Sequence, residues 1–184
     1  MSSDEIPIDP NYVTTANGWG VLHLFVKVTA NSDAAAISSA VAAAVGDDHQ
    51  VVPFAVFGHK ADIGFMALGP DLWRLRALQT GLQNAGLDVV DSYVSMTEVS
   101  EYAAALPDDM KSPRLHPQLP PEGKGAICFY PMSKKRVGDD NWFTLEFERR
   151  KELMYEHGAS GRNFRGRILQ VITGSTGVDD FEWR

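Results

Sequence analysis

The sequence is short of several things. It has one cysteine, Cys128, so it can form no internal disulfide and no multi-cysteine zinc or iron–sulfur site. That thiol sits in the apolar run AICFY, which predicts a buried, inert side chain. No run of about 20 apolar residues is present, as a membrane helix would need. The start, MSSDEIPIDP, is acidic and proline-bearing, the opposite of a secretory signal. Basic residues are outnumbered 17 to 24, giving a formal charge of -7, and a chain of that sign repels a phosphate backbone unless its cations cluster. No serine or cysteine nucleophile motif and no paired zinc-histidine helix occurs. The expectation is a cytoplasmic protein that binds neither nucleic acid nor membrane. At 184 residues and 44% hydrophobic, it suits one domain or two small halves.

What is present reads as a repeat. Residues 1–20 are an irregular lead-in with Pro7, Pro10, Gly18 and Gly20. VLHLFVKV from Val21 alternates as a strand, and Asn31 or Ser32 can cap an alanine-rich helix that Gly46 ends. Strands follow from Val51 and Ala61. Pro70 and Asp71 then open a helix, ended by Gly86, with Leu72, Leu75, Leu78 and Leu82 on one face. A long strand from Val89 to Tyr102 completes β-α-β-β-α-β over 21–103, the ferredoxin-like split motif. Residues 104–124 hold Pro107, Pro113, Pro117, Pro120 and Pro121 and read as a connecting loop. The pattern restarts over 125–184 as strand AICFYPMSKK, helix FTLEFERRKELMYEH and strand RILQVITGS, then stops with GVDDFEWR.

Three segments carry residues suited to chemistry. On a strand, Tyr130, Met132 and Lys134 share a face. Either this is an edge strand with a solvated lysine, or the tyrosine is placed for proton or radical chemistry with an ammonium beside it. His157 precedes Gly158 at the expected helix end, where it can satisfy carbonyls and the helix dipole or offer a nitrogen to a haem iron. Gln170 falls among apolar residues, facing either solvent or a ligand. GSTG is followed by no helix and is no phosphate loop.

In their order, FYPMSKKR, DDNWFTLEFERRKELMYEHG and GRILQVITGSTGVDDFEW resemble the coproheme decarboxylases of the chlorite dismutase superfamily. The first half supports this with VLHLFVKV, HKADIGFMALGPDLWRL and DSYVSMTEVSEY. The resemblance implies an α+β fold, a dimeric α/β barrel of two ferredoxin-like halves, assembled as a homopentamer. By the same resemblance, the second half is expected to be incomplete in this chain. It also implies hydrogen-peroxide-dependent decarboxylation of two propionates of Fe-coproporphyrin III (coproheme) to vinyl groups, giving haem b, with a ferrochelatase as transient partner.

By motif position, Tyr130 would carry the radical and Lys134 would hold a propionate or supply a proton. Met132 would pack on the porphyrin, His157 would be the axial ligand and Gln170 the distal amide. Arg114, Tyr93 and Trp142 are implied as pocket residues. Chlorite-degrading relatives place an arginine at the Gln170 position, and a guanidinium can hold an anionic oxychlorine species where a neutral amide cannot. Family members continue past the EW motif with a strand and helix bearing further propionate anchors, so a truncated copy with part of the pocket wall missing is expected. The rival expectations are a non-catalytic haem or porphyrin carrier or sensor, a chlorite dismutase-like or peroxidase activity, and a ferredoxin-like barrel with no haem.

Overall fold

Residues 15–103, 105–139 and 141–183 are described by the computed structural model. The chain divides into two units, Met1–Met96 and Thr97–Arg184. The expected lead-in lies outside the described residues as far as residue 14.

The first unit is built as its alternation and caps dictate. Strand β1 (Gly20–Lys27) is followed by helix α1 (Ala34–Ala44), strands β2 (Gln50–Ala55) and β3 (Ile63–Gly69), helix α2 (Leu72–Asn84) and strand β4 (Asp88–Thr97). All pairings are antiparallel: β1 lies between β3 and β4, and β2 flanks β3 on the outside. This is the α+β, ferredoxin-like βαββαβ arrangement that the sequence predicts. β2 is the outer strand, and it carries Pro53 opposite Phe65.

Even-numbered residues of β1 (Leu22, Leu24 and Val26) and odd ones of β3 (Phe65 and Ala67) face the helices. There they meet Leu75, Leu78 and Leu82, which recur at helical spacing along α2. Leu72, expected on the same face, is only partly buried. Phe65 is 2% exposed. Truncating it leaves a cavity in a packed interior, so Phe65→Ala is expected to cost about 3–5 kcal/mol, read as a lower urea midpoint. A loss under about 0.5 kcal/mol, the size of a surface substitution, would contradict this core assignment.

The caps differ in one detail from expectation. Asp33, not Asn31 or Ser32, caps α1: its carboxylate accepts the N–H groups of Ala35 (2.8 Å) and Ala36 (3.1 Å). The Ser32 hydroxyl is used elsewhere, donating to the Gly86 carbonyl at 2.9 Å. Asp71 caps α2 through the Trp73 N–H at 2.9 Å, as predicted. Gly86 takes φ +85°, and a Cβ there would lie 2.3 Å from the Asn31 carbonyl oxygen, so only glycine fits this turn. β4 ends at Thr97, five residues earlier than expected, and Glu101–Ala103 forms a 3₁₀ turn.

The second unit departs further from the sequence reading. The 104–124 segment contains a helix, α3 (Asp108–Leu115), with Pro113 inside it. Asp108 and Asp109 in the first turn and Arg114 in the last complement the helix dipole. Residues 125–131 form no strand: among the described residues no neighbouring strand pairs with them, and an unpaired extended segment gains nothing from the ladder. For the same reason Cys128 is exposed rather than buried. Helix α4 spans Phe147–Arg162, not 143–157, because Trp142–Thr144 is a separate 3₁₀ turn capped by Asn141, and the chain extends at Leu145 and Glu146 before the helix starts. α4 also runs through Gly158, which stays helical, so His157 lies within the helix and not at its end. The last strand contracts to β5 (Thr173–Gly174). Among the described residues, no helix is long and apolar enough to cross a membrane.

Candidate functional site

The second unit is pinned at Met132. Its N–H donates to the Trp183 carbonyl at 2.8 Å, and its carbonyl accepts from the N–H groups of Glu182 (3.1 Å) and Trp183 (3.0 Å). This brings the Glu182 carboxylate, 7% exposed, against the lysine–arginine run. One carboxylate oxygen accepts the Lys134 backbone N–H at 2.9 Å, and the other accepts from the Arg136 guanidinium. Charge-assisted bonds of this kind are what a buried carboxylate requires. The Trp183 indole N–H in turn donates to Glu98 at 3.0 Å. Gly174 leaves the room for this, since a Cβ there would sit 2.3 Å from the other Glu98 oxygen.

The same segment is tied to the turn at Trp142. The Trp142 N–H donates to the Lys135 carbonyl (3.0 Å), and the Asn141 amide donates to the Arg136 carbonyl (2.7 Å). The Lys134 ammonium lies 4.4 Å from the Trp142 ring centroid and 5.7 Å from that of Trp183, so two indole faces hold the cation. Arg136 stacks over Phe143 at 4.0 Å. Among the described residues no carboxylate lies within ion-pair distance of the Lys134 ammonium.

Glu182→Ala would strip the Lys134 N–H and the Arg136 guanidinium of their acceptor. We expect a loss of about 1–3 kcal/mol and faster tryptic cleavage after Lys134, Lys135 and Arg136. Glu182→Gln, which keeps an acceptor, should be milder. Equal cleavage of both variants and the parent would show that the contact holds nothing in place.

Tyr102 stacks on Phe147 (centroids 5.5 Å apart) and meets Trp142 edge-on at 6.4 Å. Its hydroxyl is buried, with the Glu101 carboxylate as its polar neighbour. Burial first, and the Glu101 carboxylate second, push this phenol up to about 12. A folded value above the unfolded one gives stability that is intact below about pH 10 and lost as pH rises towards 12. Stability measured across that window should therefore fall less steeply in Tyr102→Phe than in the parent.

The residues implied by the resemblance are dispersed. Tyr93 lies in the first unit, on β4, packed edge-on against Phe25 and donating its hydroxyl to Asp91 at 3.0 Å. The other seven belong to the second unit. Met132, Lys134 and Trp142 come together as described. Tyr130 is 51% exposed, and its hydroxyl makes no hydrogen bond among the described residues. His157 is exposed on α4 with both ring nitrogens uncommitted among the described residues, and Gln170 is exposed outside any strand. Arg114 lines a groove of about 470 Å³ with Tyr102, Tyr155 and Arg162, whereas Tyr130, Lys134, His157 and Gln170 do not line it.

Sequence reasoning missed Glu182, Arg136, Asn141 and Tyr102. An acid between two aromatics in FEW and an asparagine before WF were the available signals. Among the described residues no group of three or more His, Cys, Asp or Glu could hold a bare metal ion. A porphyrin-held iron needs less: a free imidazole nitrogen for the metal and cations for carboxylates. His157, Lys134 and Arg114 fit that donor chemistry.

The first unit is a ferredoxin-like α+β fold, and the second presents exposed Tyr130 and His157 side chains beside a Lys134 held between two indoles. The family model for chlorite dismutase matches residues 30–184, and the chain belongs to that family. Among solved structures it is similar to a heme-binding protein from Thermus thermophilus. That protein is 30% identical, with a TM-score of 0.76 over 94% of this chain and 78% of the other. A second structure, assigned as a chlorite dismutase, is 22% identical with a TM-score of 0.64 over 90% and 77% of the two chains, and supports the fold alone.

Proposed function

We propose that this protein is a coproheme decarboxylase, taking Fe-coproporphyrin III to haem b with hydrogen peroxide as oxidant. The observation that carries the reading is the fixing of the Met132–Lys134 segment, two residues beyond an uncommitted Tyr130, by Glu182 and Trp183. The bound iron porphyrin, itself the substrate, supplies the redox chemistry with peroxide. The His157 imidazole would hold its iron, while Lys134 and Arg114 would hold propionate carboxylates. Tyr130 would give its hydroxyl hydrogen to the peroxide-derived oxidant, which leaves as water, and would take one back from a propionate β-carbon. Carbon dioxide then leaves as the carbon–carbon double bond forms. For each propionate, one peroxide accepts two electrons, one proton is taken up and two waters result. Met132 and Trp142 would give the porphyrin an apolar wall, and the neutral Gln170 amide disfavours oxychlorine anions as substrates. A cytosolic homopentamer that receives coproheme from a ferrochelatase belongs to the same proposal.

The second reading is a haem or porphyrin carrier without catalysis. It is favoured by the description of the Thermus relative as heme-binding and by the exposure of Tyr130. One experiment separates the two: ferric coproporphyrin is added to the purified chain, its absorption recorded, then peroxide is titrated and the pigment followed by mass. Stepwise loss of two carboxyl groups supports the enzyme, and binding without loss supports the carrier. Oxygen released from chlorite would move the assignment to chlorite breakdown. No binding would overturn the haem readings.

A further inference from the structure

Two rings of the second unit that lose electrons readily are in contact, and opposite charges flank them. The Trp142 indole meets the Tyr102 phenol edge-on, with centroids 6.4 Å apart and planes at 80°. Indole and phenol are the side-chain rings most easily oxidised by one electron. The Lys134 ammonium lies 4.4 Å from the Trp142 centroid, whereas the polar neighbour of the Tyr102 hydroxyl is the Glu101 carboxylate. Phe147, stacked on Tyr102 at 5.5 Å, is a ring that resists oxidation and ends the series.

The flanking charges favour one direction of transfer. An indole that has lost an electron is a cation, and an ammonium beside it repels that state. The same ammonium is attracted to the intact indole, so Trp142 is favoured in its reduced form. At Tyr102 the balance is the opposite. Burial and the Glu101 charge keep the phenol protonated throughout the neutral range. A phenol that loses an electron becomes a strong acid, and Glu101 is the base beside it. Glu101 is paired with Arg150 at 3.4 Å and is 55% exposed, so a proton that it takes can pass on to water.

We propose that Tyr102 is the terminus for stray oxidising equivalents: when an electron is drawn from Trp142 rather than from a propionate, Tyr102 refills the indole and is left as a neutral radical. This rests on the haem reading, which supplies the oxidant and places Trp142 against the porphyrin. In the transfer Trp142 gives up one electron and regains one from Tyr102, whose phenolic proton goes to Glu101. Hydrogen peroxide is what is reduced: each molecule accepts two such electrons with two protons and leaves as two waters. The radical on Tyr102 is thus an equivalent lost to decarboxylation, and the indole is spared.

The test uses the whole chain carrying Tyr130→Phe, which removes the tyrosine assigned to the propionates. Porphyrin occupancy is matched by absorption, excess peroxide is added, and samples are taken for electron paramagnetic resonance and for mass mapping of tryptic peptides. A tyrosyl signal is expected. Further substitution by Tyr102→Phe should abolish it and raise the oxygen added to Trp142, and Glu101→Gln should weaken it. A tyrosyl signal unchanged by both substitutions, or Trp142 oxidised equally with and without Tyr102, would overturn the proposal. A second arm needs no porphyrin: photogenerated ruthenium(III) tris-bipyridine, with persulfate as electron acceptor, takes single electrons from indoles. Here too Trp142 should be more heavily oxidised in Tyr102→Phe, and equal oxidation would count against the proposal in the same way. Failure of ferric coproporphyrin to bind would overturn the haem reading and this proposal together. Porphyrin binding with Trp142 damage unaltered by Tyr102→Phe would overturn this proposal alone.

Discussion

Tyr130→Phe is expected to bind ferric coproporphyrin as the parent does while its rate of propionate loss falls by about a hundredfold or more. The substitution removes one oxygen and one hydrogen from a half-exposed side chain, so it should leave packing and stability almost untouched. The phenol is also free of hydrogen bonds among the described residues, so no structural partner is orphaned. An effect on catalysis alone would therefore isolate the hydroxyl as the reacting group. Mass analysis of the pigment after a peroxide titration, at matched porphyrin occupancy, is the decisive readout. A variant that still removes both carboxyl groups at the parent rate would eliminate Tyr130 from the chemistry.

His157→Ala should have the second large effect, this time on binding. If the imidazole supplies an axial nitrogen, its removal leaves the porphyrin held only by carboxylate contacts and apolar surface. Affinity should fall by about a hundredfold, and the Soret band should shift with the change of ligand. The side chain is exposed within α4, so the cost to folding should be small and a loss of binding would not be secondary to unfolding. Added imidazole restoring the parent spectrum would strengthen the assignment. An unchanged Soret band in His157→Ala would remove this residue as ligand and leave the iron to another donor.

The first unit was legible almost residue by residue, because its signals are local and agree. Alternation in VLHLFVKV, the leucine spacing of α2, Asp71 and Gly86 all point to the same arrangement. The α1 cap is less legible, because neighbouring Ser32 and Asp33 are both competent and the Ser32 hydroxyl is taken by Gly86.

The second unit was less legible for two physical reasons. The apolar runs at 125–131 and 167–172 have strand composition, but a strand exists only if a neighbour accepts its backbone groups. In α3 five nearby prolines outweighed the charge signals at its ends. Yet Pro113 removes a single N–H, which a short exposed helix can tolerate. In the candidate site, sequence order alone suggested Tyr130, Met132 and Lys134. Glu182, which holds the backbone at Met132 and Lys134, could not be read because it lies 46 residues from its partner Arg136.

Pro53 at the margin of the sheet has a consequence for how molecules of this protein meet one another. Among the described strands β2 is outermost beside β3, and an uncovered far side of that kind offers backbone groups to any extended chain that drifts against it. A valine run there would be an adhesive strip. A proline in the middle of it lacks one donor and carries a rigid ring, so an incoming strand cannot complete its ladder. Concentrated solutions should thus be guarded against sheet-to-sheet stacking along this margin by one imino acid, at a position where the fold itself gives up almost nothing.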